Sequence, residues 1–258
     1  MNRAKAVGEI RQKLRMGKPS IGTWMQLSDP SIAEILASAD FDWVTLDLEH
    51  GSFSPHEMPN LFRAIEMHEK VGLARLAEGT MTECKRALDA GAGGLIIPMV
   101  NSREQMEQII KHAAWPPAGE RGVAFSRANM FGSKFEDYVE EAQRPLIVPM
   151  IETQLAVRNL KEILSVPGVD AVMIGPYDLS ASLGVMGRFE DDVFKNEIDK
   201  IRAICKDSRI PCGIHVVQPD VDELNKRIVE GYQFIAYSID SVVLARFVAD
   251  HLKWSKAK

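Results

Sequence analysis

The chain has 258 residues, 46% hydrophobic and 26% charged, which suits a globular protein with a full core and excludes a disordered or low-complexity chain. Its 31 Lys and Arg against 36 Asp and Glu give a formal net charge of −5, with no basic block beyond the first twenty residues, so a nucleic-acid partner is not expected. Three cysteines (Cys84, Cys205, Cys212) are odd in number and lack metal-ligand spacing, which fits a reducing cytoplasmic setting, and no apolar run approaches the ~18 residues of a membrane helix.

The basic N-terminus, MNRAKAVGEIRQKLRMGKPS, has no apolar stretch of the kind a secretory signal carries. Val7, Ile10 and Leu14 recur at helical spacing and predict an amphipathic helix within 1–18, packed on the domain. Short apolar runs then alternate with segments of three- and four-residue apolar spacing. The runs are IGTWMQL (21–27), WVTLDL (43–48), GLARLA (72–77), GLIIPMV (94–100), PLIVPMI (145–151), AVMIG (171–175), CGIHVV (212–217) and QFIAYS (233–238). Helical patterns follow near 30–39, 55–70, 80–90, 102–113, 153–164, 190–206, 220–230 and 241–254. Eight consecutive βα units over this length describe a single (β/α)8 TIM-barrel domain, 1–258. An open doubly wound sheet is the alternative, and its dinucleotide-binding form is weakened because no G-x-G-x-x-G follows any strand.

Residues 114–133, AWPPAGERGVAFSRANMFGS, fit neither pattern and read as a long loop. Loops of that length are usually functional or disordered. Arg121, Arg127 and Asn129 are candidate substrate contacts there; the competing reading is a surface excursion packed by Phe125 and Phe131. An internal echo pairs IIPMVNSREQ with IVPMIETQLA, and at the matching turn one carries Asn101 and the other Glu152. Glu152 is therefore not needed merely to start a helix.

A parallel barrel collects its strand C-termini on one rim, where active sites lie. That rim receives Asp47, Glu49 and His50 from the second strand, Arg75 from the third, Glu152 from the fifth, Asp178 after the sixth and His215 from the seventh. Each has an ordinary explanation. Asp178 suits a helix N-cap, Glu152 a first helical turn, Arg75 and Asp47 a structural ion pair, and His215 a satisfied core position. Together they would place unpaired charge in one small volume at several kcal/mol per ion. A hard divalent cation on Glu152 and Asp178, with open positions for adjacent carboxylate and keto oxygens, offsets that cost. Such a cation activates the neighbouring carbon towards enolate formation. Arg75 is placed to hold the enolate oxygen, and His50, oriented by Asp47, to move protons. Backbone N–H groups around Pro176, Tyr177 and Asp178, at a helix start, suit a carboxylate. No predicted strand carries the lysine that a Schiff-base aldolase needs.

These blocks, above all WVTLDLEHG and GVDAVMIGPYDLSASLG, with GLIIPMVNSREQ, PPAGERGV and PMIET, resemble the HpcH/HpaI family of metal-dependent (class II) pyruvate aldolases over nearly the whole chain. The resemblance implies a barrel of the phosphoenolpyruvate/pyruvate superfamily. It implies reversible cleavage of a 4-hydroxy-2-oxo acid, such as 4-hydroxy-2-oxoheptanedioate or a 2-keto-3-deoxy sugar acid, to pyruvate and an aldehyde. It puts Mg²⁺, Mn²⁺ or Co²⁺ on Glu152 and Asp178, the enolate-stabilising guanidinium on Arg75, the proton-handling pair on His50 and Asp47, and the pyruvate carboxylate at Gly175–Asp178. It also implies a homo-oligomer, typically a hexamer, with helix 241–254 packed on a neighbouring barrel. Two positions depart from the pattern: Met150 stands where Gln is frequent, and Tyr177 where a small residue is common, which narrows the expected pocket. Oxaloacetate decarboxylation, malyl- or citramalyl-CoA lyase chemistry, and a non-catalytic oxo-acid-binding barrel are the alternatives.

Overall fold

The computed structural model describes residues 1–256. The eight strands are β1 (Ser20–Met25), β2 (Trp43–Asp47), β3 (Val71–Arg75), β4 (Gly94–Ile97), β5 (Leu146–Ile151), β6 (Val172–Ile174), β7 (Cys212–Val216) and β8 (Phe234–Ile239). They pair in parallel with their sequence neighbours, and β8 closes on β1. The helices are α1 (Arg3–Arg15), α2 (Pro30–Ser38), α3 (Met58–Met67), α4 (Met81–Ala90), α5 (Arg103–Ala113) and α6 (Phe135–Gln143). They continue as α7 (Gln154–Arg158), α8 (Leu160–Leu164), α9 (Pro176–Ser182), α10 (Asp192–Ser208), α11 (Val221–Val229) and α12 (Asp240–Lys256). Among the described residues no helix is long and apolar enough to cross a membrane.

The strands read as apolar runs because both faces are buried. Outward side chains such as Val44, Leu46, Leu95 and Ile214 meet the helices, while Trp24, Trp43, Leu73, Ile96, Val148, Met173 and Phe234 fill the barrel. Trp43 stacks on Phe234 with centroids 4.6 Å apart, in space left by Gly22, where a Cβ would come within 2.0 Å of the indole. Losing either large ring would cost about 3–5 kcal/mol.

Helix α1 is shorter than the 1–18 span expected. Val7, Ile10 and Leu14 join the interior cluster. Its position at the N-terminal end of the barrel is held by Gln233 Nε2, which donates to Leu14 O, and by Arg11, which donates to both Asp170 oxygens at 2.7 and 2.9 Å.

Five findings depart from the expected layout. The helix expected over 153–164 is two short helices meeting at Asn159, whose Nδ2 donates to Asn101 O. Residues 135–143 form a helix where none is expected, and 176–182 form another directly after β6. Arg121, Arg127 and Asn129 do not reach the strand C-termini. Arg121 is fully buried, pairs with Asp89 at 3.0 Å and donates to Tyr138 Oη at 3.1 Å. Arg127 pairs with Glu66 and donates to Ala90 O, and Asn129 closes its own loop by accepting from Ser126 N and Gly132 N and donating to Ala124 O. Arg121 ties the 114–133 excursion to α4 and α6, Arg127 ties it to α3 and α4, and Asn129 ties it to itself, so all three side chains are engaged in holding this segment to the fold. Phe125 and Phe131, expected to pack the loop, are 73% and 69% exposed, although Phe125 meets Phe135 edge-on.

Candidate active site

Strand β2 ends at Asp47, and the chain turns at once, with Gly51 N donating to Asp47 O at 2.9 Å. The turn needs glycine at 51, where a Cβ would sit 2.4 Å from that carbonyl oxygen. It also folds Glu49 and His50 back over the rim. Asp47 Oδ1 accepts both of their backbone N–H groups at 3.2 Å.

The Asp47 carboxylate is fully buried and receives Arg75 in a fork: Nε donates to Oδ1 at 2.8 Å and Nη2 to Oδ2 at 2.6 Å. Gln26 Nε2 donates to Oδ2 at 2.8 Å, and Gln26 Oε1 in turn accepts from Ser241 Oγ at 2.8 Å. Burial alone would raise the Asp47 carboxyl, but the bonds from Arg75 and Gln26 outweigh it and hold it below the usual carboxylate range. The guanidinium also lies 3.9 Å over the Trp24 ring, and the His215 ring packs against the same indole with centroids 4.1 Å apart. Burial, then the positive charge of Arg75, pushes His215 down to about 3. It is a neutral core histidine whose Nε2 lies 3.4 Å from Ser238 O.

Glu49 completes the guanidinium's surroundings, with Oε2 2.8 Å from Arg75 Nη1. That oxygen is buried, yet it lies off the N–H direction and receives no hydrogen bond. His50, 61% exposed, has Nε2 4.0 Å from the same oxygen. The expected orientation of the His50 ring by Asp47 is therefore not what the structure contains. Asp47 meets only the backbone of His50, because both of its oxygens are taken up by Arg75, Gln26 and the turn.

Across the rim, Glu152 is 3% exposed at the end of β5 and accepts one hydrogen bond, from Met99 N to Oε2 at 2.9 Å. The turn after β4 aims that N–H by holding Met99 at φ +53, uncommon for a side-chain-bearing residue. Gly175, at the tip of β6, leaves room for Glu152, whose Oε1 would lie 2.7 Å from a Cβ there. Gly175 is also the N-cap of α9, which opens with Pro176, Tyr177 and Asp178. Burial raises the Glu152 carboxyl to about 7 against the opposing Met99 bond, and the negative charges of Asp178 and Glu49 add to the rise. Burial also raises the Glu49 carboxyl, against the opposing positive charge of Arg75, with Asp47 and Asp178 adding to the rise. Tyr177 is exposed and meets Phe189 edge-on at 5.0 Å.

The rim thus sets four acids, Asp47, Glu49, Glu152 and Asp178, around one guanidinium already committed to Asp47. Among the described residues no three His, Cys, Asp or Glu side chains form a ready metal cage. The donor set is nevertheless the one a hard cation takes with one or two protein carboxylates. A buried carboxylate with a single hydrogen-bond donor, Glu152, beside the exposed carboxylate of Asp178 is where such a charge fits.

Residues 20–246 match the sequence profile described as HpcH/HpaI aldolase/citrate lyase. The chain belongs to that family. It is 35% identical to the 4-hydroxy-2-oxovalerate aldolase of Novosphingobium aromaticivorans, over 96% of this chain and 94% of that one. It is 34% identical to the 4-hydroxy-2-oxo-heptane-1,7-dioate aldolase of Escherichia coli, over 92% and 90%. An HpcH/HpaI family crystal structure from Burkholderia cenocepacia superposes with a TM-score of 0.89 at 29% identity, covering 96% of this chain and 99% of that one. The family barrel is the frame on which this rim is built. Glu49 is the rim residue to which sequence reasoning gave no role. Its position in D-L-E-H-G, two residues after the end of the strand, was the available signal.

Proposed function

We propose that this chain is a divalent-cation-dependent aldolase that reversibly cleaves a 4-hydroxy-2-oxo acid to pyruvate and an aldehyde. The observation that carries the reading is the imbalance at the rim: buried Glu152 feels the negative charges of Asp178 and Glu49, in a site whose one guanidinium is bound in a fork by Asp47 and also faces Glu49. Glu152 and Asp178 would hold Mg²⁺, Mn²⁺ or Co²⁺, which when bound polarises a keto group and lowers the cost of an enolate.

This chain's own residues supply the rest. Asp47 occupies two of the five N–H donors of Arg75 and fixes the guanidinium plane, Glu49 stands against Nη1, and the N–H groups facing neither acid are left for the oxygen that gains charge. His50, on the open side of the rim, takes the proton of the substrate C4 hydroxyl. The C3–C4 bond breaks, the aldehyde leaves, and the electron pair stays on the pyruvate half as its enolate. The same proton returns to C3 and gives the methyl group. Gly175 lets a carboxylate approach the first-turn amides of Tyr177 and Asp178, which have no intrahelical partner. The relatives' named substrates share the 2-oxo acid and the C4 hydroxyl and differ beyond C4.

A homo-oligomer, expected to be a hexamer, accompanies this reading. Val243, Leu244, Phe247, Val248 and Leu252 make an apolar stripe along α12, each more than 40% exposed, and α11, which packs beside β7, buries no residue. The α12 of a neighbouring subunit would cover such surfaces. Three buried free cysteines support a reducing, cytoplasmic location.

The test is pyruvate release from a panel of 4-hydroxy-2-oxo acids, with Mn²⁺ and with EDTA. Metal-dependent release is expected. Full activity in chelator, or a lysine adduct trapped by borohydride, would remove the proposal.

A further inference from the structure

We propose that Glu49, rather than Asp47, is the carboxylate partner of the His50 imidazole, and that it acts as a positioning residue tying that ring to Arg75. The kinetic part of this inference rests on the aldolase reading; the geometric part does not. Asp47 has no capacity left for the ring. Oδ1 accepts from Arg75 Nε and from two backbone N–H groups, and Oδ2 accepts from Arg75 Nη2 and Gln26 Nε2. Glu49 is the reverse case. Its Oε2 is buried, sits 2.8 Å from Arg75 Nη1 without a hydrogen bond, and lies 4.0 Å from His50 Nε2. A buried carboxylate oxygen left without a hydrogen bond is costly, and the His50 ring stands beside it. His50 is 61% exposed on its turn, so a small side-chain rotation brings Nε2–H onto Oε2.

The consequence for the ring is specific. With Nε2–H donated to Glu49, the proton sits on Nε2, and Nδ1 is left unprotonated to accept the substrate proton. When Nδ1 has taken that proton, the imidazolium remains bonded to a carboxylate, which lowers the cost of its charge. The proton then leaves Nδ1 for C3 of the enolate, and the ring returns to its starting state. Glu49 gains and loses no proton. Through Arg75 Nη1 it also fixes the distance between the group that moves the proton and the group that holds the developing negative oxygen.

The test compares Glu49→Gln, His50→Ala and the double variant. With Mn²⁺, Glu49→Gln is expected to lower kcat at least ~10-fold while changing KM for pyruvate in the aldol direction less than about threefold. The double variant should be no slower than His50→Ala alone, because both changes disable one unit. Exchange of pyruvate methyl protons with solvent deuterium should fall in parallel. Independently of any turnover, ¹⁵N NMR of the metal-free protein reads the His50 ring, assigned by its loss in His50→Ala. Wild type should show a protonated, hydrogen-bonded Nε2 that shifts in Glu49→Gln. Multiplicative losses in the double variant, or identical His50 ring spectra in wild type and Glu49→Gln, would overturn the inference. Absent turnover in wild type with the expected ring shift would instead count against the aldolase reading and leave this pairing standing.

Discussion

Gly175→Ala is the sharpest single probe of the rim. The backbone at 175 has φ −92 and ψ 96, open to alanine, so the substitution adds no backbone strain. What it adds is one methyl group at 2.7 Å from Glu152 Oε1 and 2.9 Å from Glu152 Cγ. Cγ is not the free end of the chain, so the whole carboxylate has to swing, and the bond from Met99 N to Oε2 weakens with it. Overpacking of this size costs about 1–3 kcal/mol, and the stiffer unfolded chain returns about 0.4–1 kcal/mol. The net loss of roughly 0–2.5 kcal/mol lowers Tm by up to about 10 °C, which leaves a folded protein at 25 °C. A displacement approaching 1 Å at a positioned carboxylate lowers turnover by about 100-fold. Thermal unfolding, pyruvate release at saturating Mn²⁺ and Mn²⁺ affinity by electron paramagnetic resonance separate the two effects. Wild-type kcat/KM and wild-type Mn²⁺ affinity in a folded variant would refute the placement of Glu152 at the centre of the chemistry.

Glu152→Gln keeps an oxygen for Met99 N and removes one of the repelling charges, so activity should fall at least ~100-fold while the metal-free Tm holds or rises; a marked drop in Tm would make the carboxylate structural. His215 gives a pH prediction. Its folded-state value is lowered to about 3 while an unfolded imidazole titrates near the ordinary 6.5, so its contribution to stability is complete above pH ~6.5 and is lost as pH falls towards 3. The loss is on the order of 1 kcal/mol per pH unit, and urea titrations of His215→Leu should lack that part of the slope; identical slopes in wild type and variant would contradict the assignment. Phe247→Glu, in the α12 stripe, should lower the oligomeric state seen by sedimentation, and an unchanged assembly would show that the stripe is not an interface.

The barrel was legible because a parallel strand buried on both sides leaves an uninterrupted apolar run, and all eight such runs became strands to within a few residues. The N-terminal helix was legible from Val7, Ile10 and Leu14, though not its place across the barrel's N-terminal end, which depends on Gln233 and Asp170. What sequence could not give was partnership. Arg121 and Arg127 look like free cations on a loop, and their carboxylates, Asp89 and Glu66, belong to helices 32 and 61 residues earlier. Asp47 and His50 look like a pair because they are three residues apart. Whether a carboxylate meets a neighbour's ring or its backbone N–H depends on the turn, and here the turn spends Asp47 on N–H groups. Helix α9 was only half visible, since PYDLSAS spans under two turns and its Pro and Asp mark a helix start without showing where it ends.

The contact between Ser241 and Gln26 has a consequence for the assembly. Ser241 stands at the root of the helix that projects from the barrel, and Asp240 beside it accepts the backbone N–H groups of Gln26 and Leu27 at 2.8 and 3.0 Å. From there the route to the guanidinium is two side chains long: Gln26 to Asp47, then Asp47 to Arg75. In the oligomer proposed above, a neighbour gripping that helix would pull on the same strut that aims the arginine, and loosening the grip should show itself first in the aim of the arginine and only later in the melting of the barrel.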